Sequence, residues 1–282
     1  MIAAFKLPNT VQQIIPSLGG WIDSLSTDAL AVGLQPYFAF IEVFHILGLF
    51  SLGSCVILIS LRLMGVGLVE ASPSTIYRNT RIWLHIGVAT ALISGMLMGL
   101  SNASKLYNNT AFLWKMAAMV AAIVFSYAVL VPTAKADGRA GPGVKVGLVV
   151  GLAVWALALL IMVTNKGGNV GIFHVMSAAV LIGAIALQGR TRWVLLIGVG
   201  LGIVALQILT HLVFKDPFSD VYMTVNKAFM WITGLFLLAL LAWNVLGKSA
   251  AEDSTSLSRF IAVCAILAWV TVGAGGRWIG LT

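Results

Sequence analysis

The chain has 282 residues, of which 60% are hydrophobic and only 9% charged, and its formal net charge is +8. Soluble domains are nearer half apolar and a quarter charged, so a water-soluble enzyme and a disordered chain are both excluded. The basic excess sits one to three residues at a time between apolar runs, which marks membrane flanks and argues against a nucleic-acid partner.

In chain order, residues 1–36 come first. Val11 to Ile15 and Trp21 to Leu34 mix apolar and polar residues, with breaks at Pro16 and Gly19-Gly20. The pattern predicts short amphipathic helices lying on the membrane surface, as a separate segment ahead of the bundle. No cleavable leader is legible there, so the first long apolar run is expected to act as its own insertion signal.

Apolar runs long enough to cross a bilayer follow. They fall near 37–64, 80–101, 110–132, 143–164, 170–188, 193–214, 222–247 and 257–279. This predicts an all-α polytopic membrane protein of about eight transmembrane helices. Pro73, Pro132, Pro142 and Pro217 fall in or beside the intervening loops, where helix breakers belong. Arginines 62, 78, 81, 139, 190, 192 and 259 flank the loops after odd-numbered spans. The positive-inside rule then puts those loops in the cytoplasm and both termini in the periplasm of a bacterial inner membrane.

The halves look alike. Phe44-His45 and Phe173-His174 open spans one and five, and Trp83 and Trp193 open spans two and six. Lys115 with Phe112 matches Lys227 with Phe229, and Trp155 matches Trp269. The expectation is two repeated four-helix units, 37–164 and 165–282.

Ionisable groups inside membrane helices are costly and are functional candidates by default. Counted from the span ends, His45, His174 and His211 share one membrane level, while His85 lies on the other side. Two imidazoles at one depth suit the iron of haem b in an apolar slot between helices. They also suit copper, for which Met162 and Met176 lie near the same level. The bland alternative is a set of histidines bonding carbonyls or headgroups. Glu42, three residues before His45 on the same helical face, is a candidate to hold an imidazole N–H. Arg277 and Lys115 are candidates for haem propionates or for Glu42, against the alternative of snorkelling to the interface. Cys55 and Cys264 lie inside apolar runs, and no CxxCH is present for covalent haem. Walker, dinucleotide and HExxH motifs are absent, and only Glu42 among the carboxylates enters a span. That pattern argues against a charge-coupled transporter.

Phe40 to Gly48, Leu61-Arg62-Leu63-Met64-Gly65, Gly95 to Ser101, Tyr107-x-Asn109-x-x-Phe112-x-x-Lys115 and Gly276-Arg277-Trp278-Ile279 together resemble an uncharacterised family of bacterial multi-pass integral membrane proteins. That family looks distantly like copper-resistance-D-type and b-type cytochrome membrane proteins. The resemblance implies haem or copper, and it covers the first three helices and the last one. Family members often have four or five helices, whereas this chain looks doubled. The expectation is a haem b electron-transfer subunit between the quinone pool and a periplasmic redox protein or dehydrogenase subunit. His45, His174 and His211 form its ligand pool, with Arg277 and Glu42 beside them. A copper-handling protein and a cofactor-free anchor for a periplasmic partner are the alternatives.

Overall fold

The structure, a computed structural model, describes residues 7–164, 168–187, 189–213 and 250–280, with isolated positions between 219 and 233. The side chains of 168–173, 206, 207, 210, 211 and 250–255 are outside the description. The described residues are helical and contain no strand. The seventh expected span, 222–247, and most of the turn between spans four and five lie outside the described residues.

Three short helices come first: α1 (Val11–Ile14), α2 (Gly19–Ser26) and α3 (Ala29–Leu34). Thr10 and Asp28 cap the first and third, each side chain accepting a backbone N–H inside the helix. The chain then enters α4 (Phe38–Leu63). It ends in a Schellman turn: Val66 N–H bonds Leu61 carbonyl at 2.9 Å and Gly65 N–H bonds Arg62 carbonyl at 3.0 Å. Gly65 has φ +78°, a conformation that favours glycine.

Helix α5 (Pro73–Ser101) begins seven residues earlier than its apolar run. Ser72 caps it by accepting from Thr75 N–H at 3.2 Å, and Pro73 occupies the first turn, so the polar stretch through Arg78 and Arg81 is helical too. Helices α4 and α5 make the tightest pairing in the molecule. A Cβ on Gly87 would stand 2.6 Å from Leu52 N, and one on Gly48 would stand 2.8 Å from Ala91 N. The backbones touch there because both residues lack side chains.

Next come α6 (Ala103–Tyr107) and α7 (Thr110–Val124), the latter capped by Asn109 accepting from Ala111 and Phe112 N–H. A π turn at Phe125–Leu130 joins α7 to α8 (Val131–Lys135). Pro132 explains the turn: it has no N–H for the Ala128 carbonyl and its ring would strike that carbonyl in a regular helix. The displaced Ala128 carbonyl lies 3.1 Å from where a Gly147 Cβ would be, so α9 (Pro142–Thr164) can approach only through glycine. Gly151, one turn on, lies against the Phe125 ring.

A second hairpin is formed by α10 (Gly168–Ala186) and the pair α11 (Gly189–Val194) and α12 (Leu201–Val213), joined by a π turn at Leu195–Gly200. The last helix is α13 (Ala250–Ile279). It packs against α7, α10 and α4. Ile261, Ala262, Ala265, Ala268 and Thr271, spaced at helical intervals, have no exposed surface. Two indoles tie it in place: Trp155 Nε1 donates to Thr271 at 3.0 Å and Trp269 Nε1 donates to Ser126 at 2.9 Å.

Among the described residues, five helical stretches are long and apolar enough to cross a membrane: Ala29–Leu63, Pro73–Ser101, Thr110–Lys135, Pro142–Thr164 and Ser256–Ile279. A shorter apolar helix runs over His174–Ala186.

Candidate functional site

At the end of the bundle where α4 and α7 begin and α5 and α13 finish, polar groups enter the apolar spans. His45 sits two turns into α4 and faces α5. Its Nδ1 lies 3.0 Å from Ser94 Oγ. Ser94 donates its own hydroxyl hydrogen to the Thr90 carbonyl at 2.5 Å. With that hydrogen committed, the hydroxyl accepts from the imidazole, so Nδ1 carries the ring proton and Nε2 presents a bare lone pair; the network assigns this tautomer. The Ala91 backbone is a second hydrogen-bond partner of the ring. A Cβ on Gly95 would stand 3.2 Å from His45 Cε1, so the glycine leaves room for the ring.

Lys115 and Glu42 lie near enough for their charges to act on His45. Lys115 runs along the last turns of α13. A Gly275 Cβ would meet Lys115 Cβ at 2.6 Å and the Trp114 ring at 2.9 Å, and a Gly276 Cβ would lie 4.0 Å from the ammonium. Trp114 is fully buried, and its indole N–H has no partner among the described residues. An orphaned donor of this kind costs about 1–3 kcal/mol, and a ligand oxygen would relieve it. Asn109 reaches the same corner, donating to the Ile279 carbonyl at 3.4 Å. Over this end lie the short N-terminal helices, pinned by Tyr107 OH donating to the Ile15 carbonyl at 2.7 Å.

The scattered motif residues therefore meet. His45, Gly95, Tyr107, Asn109, Lys115 and Gly275 to Ile279 build one corner from five helices. Ser94 bonds the His45 ring, and Glu42, which is exposed, lies near enough for its charge to act on it. Lys115 packs along the Gly275-Gly276 face. The His211 side chain lies outside the described residues. His174 is exposed on α10, whose main neighbours are α13 and α9, whereas His45 faces α5. Arg277 is exposed at the end of α13. Sequence reading missed Ser94 and Trp114, which are ordinary residue types in a membrane helix and carry no signal alone.

Among the described residues, no group of three or more His, Cys, Asp or Glu side chains gathers to hold a metal ion. A metal at His45 would need most of its ligands from outside the described residues.

The fold and this corner define a helical integral membrane protein with a partly buried histidine–lysine site at one end of its bundle. A family model, described as a family of unknown function (DUF6644), matches residues 31–173, and the chain belongs to that family. No curated protein and no solved structure matches it. The matched region holds His45, Ser94, Gly95, Asn109 and Lys115, while Gly275 to Ile279 come from outside it.

Proposed function

We propose that this protein is an inner-membrane electron-transfer subunit that carries b-type haem, which His45 would help to hold through Nε2. The observation that carries the reading is the His45–Ser94 pair. Metal-binding histidines hold their second ring nitrogen in such a bond, which orients the ring and raises its basicity. A porphyrin brings four of the iron's ligands itself, which suits a site with one prepared imidazole and no cluster of protein donors. When bound, the haem supplies reversible one-electron transfer. The chain's residues do the rest. Lys115 offers a cation to a carboxylate, Trp114 offers a buried N–H, and Gly95 gives the imidazole its place. Arg277 is a second cation for a propionate. His174 or His211 would supply a second imidazole.

The proposal also takes the chain as two four-helix units with eight spans. Both termini are periplasmic, and electrons pass between quinone and a periplasmic redox partner. Copper is less well supported, because it would need several protein donors together.

The test is a dithionite-reduced-minus-oxidised spectrum of the purified protein. A sharp α band with a shifted Soret band is expected. His45→Ala should abolish both, and Ser94→Ala should weaken haem retention roughly tenfold or more. A flat spectrum from well-folded wild-type protein would overturn the reading and leave a cofactor-free anchor.

A further inference from the structure

The opposite end of the bundle carries a second polar pair. His85 on α5 and Tyr127 in the π turn stack with ring centroids 5.6 Å apart and planes 15° apart. Tyr127 OH lies 3.0 Å from His85 Nδ1. Tyr127 is half-buried and His85 exposed, with exposed Ile82, Trp83 and Ile86 around it. The π turn that aims Tyr127 at α5 is the one set by Pro132. His85 stands one turn, about 6 Å, further along α5 than the exposed Arg81 and on its apolar stretch. An imidazole edge open to hydrocarbon with Nε2 unbonded is costly unless something amphipathic occupies it.

We propose that His85 and Tyr127 form a binding site for the headgroup of a lipid-soluble quinone. The chemistry matches both redox forms. With Tyr127 OH donating to Nδ1, the ring proton sits on Nε2 and donates to a quinone carbonyl. With Nδ1–H donating to the Tyr127 oxygen, bare Nε2 accepts from a quinol hydroxyl. The exposed aromatic surface offers a flat ring a stacking partner, and the site opens sideways to the bilayer in which such a ligand travels. Its use as an electron source or sink rests on the haem reading; binding itself does not.

The experiment measures saturable binding of decylubiquinone to the full chain in lipid nanodiscs, with empty discs subtracted. Wild type should bind. His85→Leu should weaken binding about tenfold and Tyr127→Phe several-fold, with His85→Gln partly restoring it, as expected for hydrogen bonds lost one at a time. Gly53→Ala, in neither site, should bind as wild type does. If wild type shows no saturable binding, or His85→Leu binds normally, or Gly53→Ala abolishes binding, the site is wrong. If His85→Leu does not fold, Tyr127→Phe and His85→Gln carry the same test. A flat haem spectrum with intact quinone binding would sink the haem reading alone; the reverse pattern would sink this one alone.

Discussion

At Asp137 one residue closes a helix and anchors its neighbour. It adopts φ +52° after α8, with Gly138 N–H bonding the Thr133 carbonyl at 2.9 Å. Its Oδ1 accepts Ser74 N–H at 3.0 Å, joining the start of α5 to the end of α8. The Ser74 backbone and side chain, and then Arg139 and Arg62, hold the Asp137 carboxyl below its ordinary range. A depressed folded value means stability that is present above the unfolded value, about 3.9, and lost as pH falls through the folded one. Asn tolerates the same backbone and removes only the charge. Wild type should therefore melt above Asp137→Asn at neutral pH, and the two curves should converge below about pH 4. Thermal melts in detergent across pH 3–7 would show it, and a gap independent of pH would disprove the charge effect. Legibility at this scale followed polarity contrast. His45 and Lys115 stood out because ionisable groups are rare in apolar runs. Ser94 did not, since its role exists only through what it faces on α4.

Among the elements, α4 and α5 depend on two glycines that face each other. Elsewhere in α5, Gly95 seats His45 and Gly99 lies by Leu106. The contact itself uses Gly48 and Gly87, one per helix, a pairing no single-helix pattern displays. Gly147 and Gly151 admit α9 to the π turn. Gly53 offers an internal control, because a Cβ there would meet nothing within 4 Å. Gly87→Ala should destabilise by about 1–3 kcal/mol through overpacking against backbone. Gly53→Ala should be neutral or stabilising by up to about 1 kcal/mol, the gain in helix propensity. Melting temperatures of the two variants, read side by side by fluorescence-detected gel filtration, check the sign of each. A Gly87→Ala protein as stable as Gly53→Ala would refute the close contact.

For the whole molecule, the broad class followed from composition, because a bilayer demands helices whose apolar length is written in the sequence. Which helices become neighbours was not written there. Sequence order suggests that the last helix closes a second unit, yet α13 lies against α4 and α7 as well as α10. Ala262, Ala265 and Ala268, fully buried on it, are small residues that read as featureless in a membrane segment. Orientation can be tested directly. Single cysteines in a background lacking Cys55 and Cys264, placed at Ser24 and at Val69, should differ in labelling by a membrane-impermeant maleimide in intact cells. Ser24→Cys should label and Val69→Cys should not. The opposite pattern would invert the proposed topology.

The central place of α13 also bears on how the protein is made. Chains enter the bilayer from the amino terminus, so α4, α5, α7 and α9 are inserted while α13 is still being translated. Until it arrives, the seam between α4 and α7 has no filling, and the Trp269 donor to Ser126 is missing. Lys115 then lies without the Gly275-Gly276 face that packs along it. Biogenesis must hold the early helices in a loose, lipid-tolerant arrangement and finish assembly late. A chain interrupted ahead of residue 250 would be a substrate for membrane quality control even though every helix of its matched family region had been synthesised.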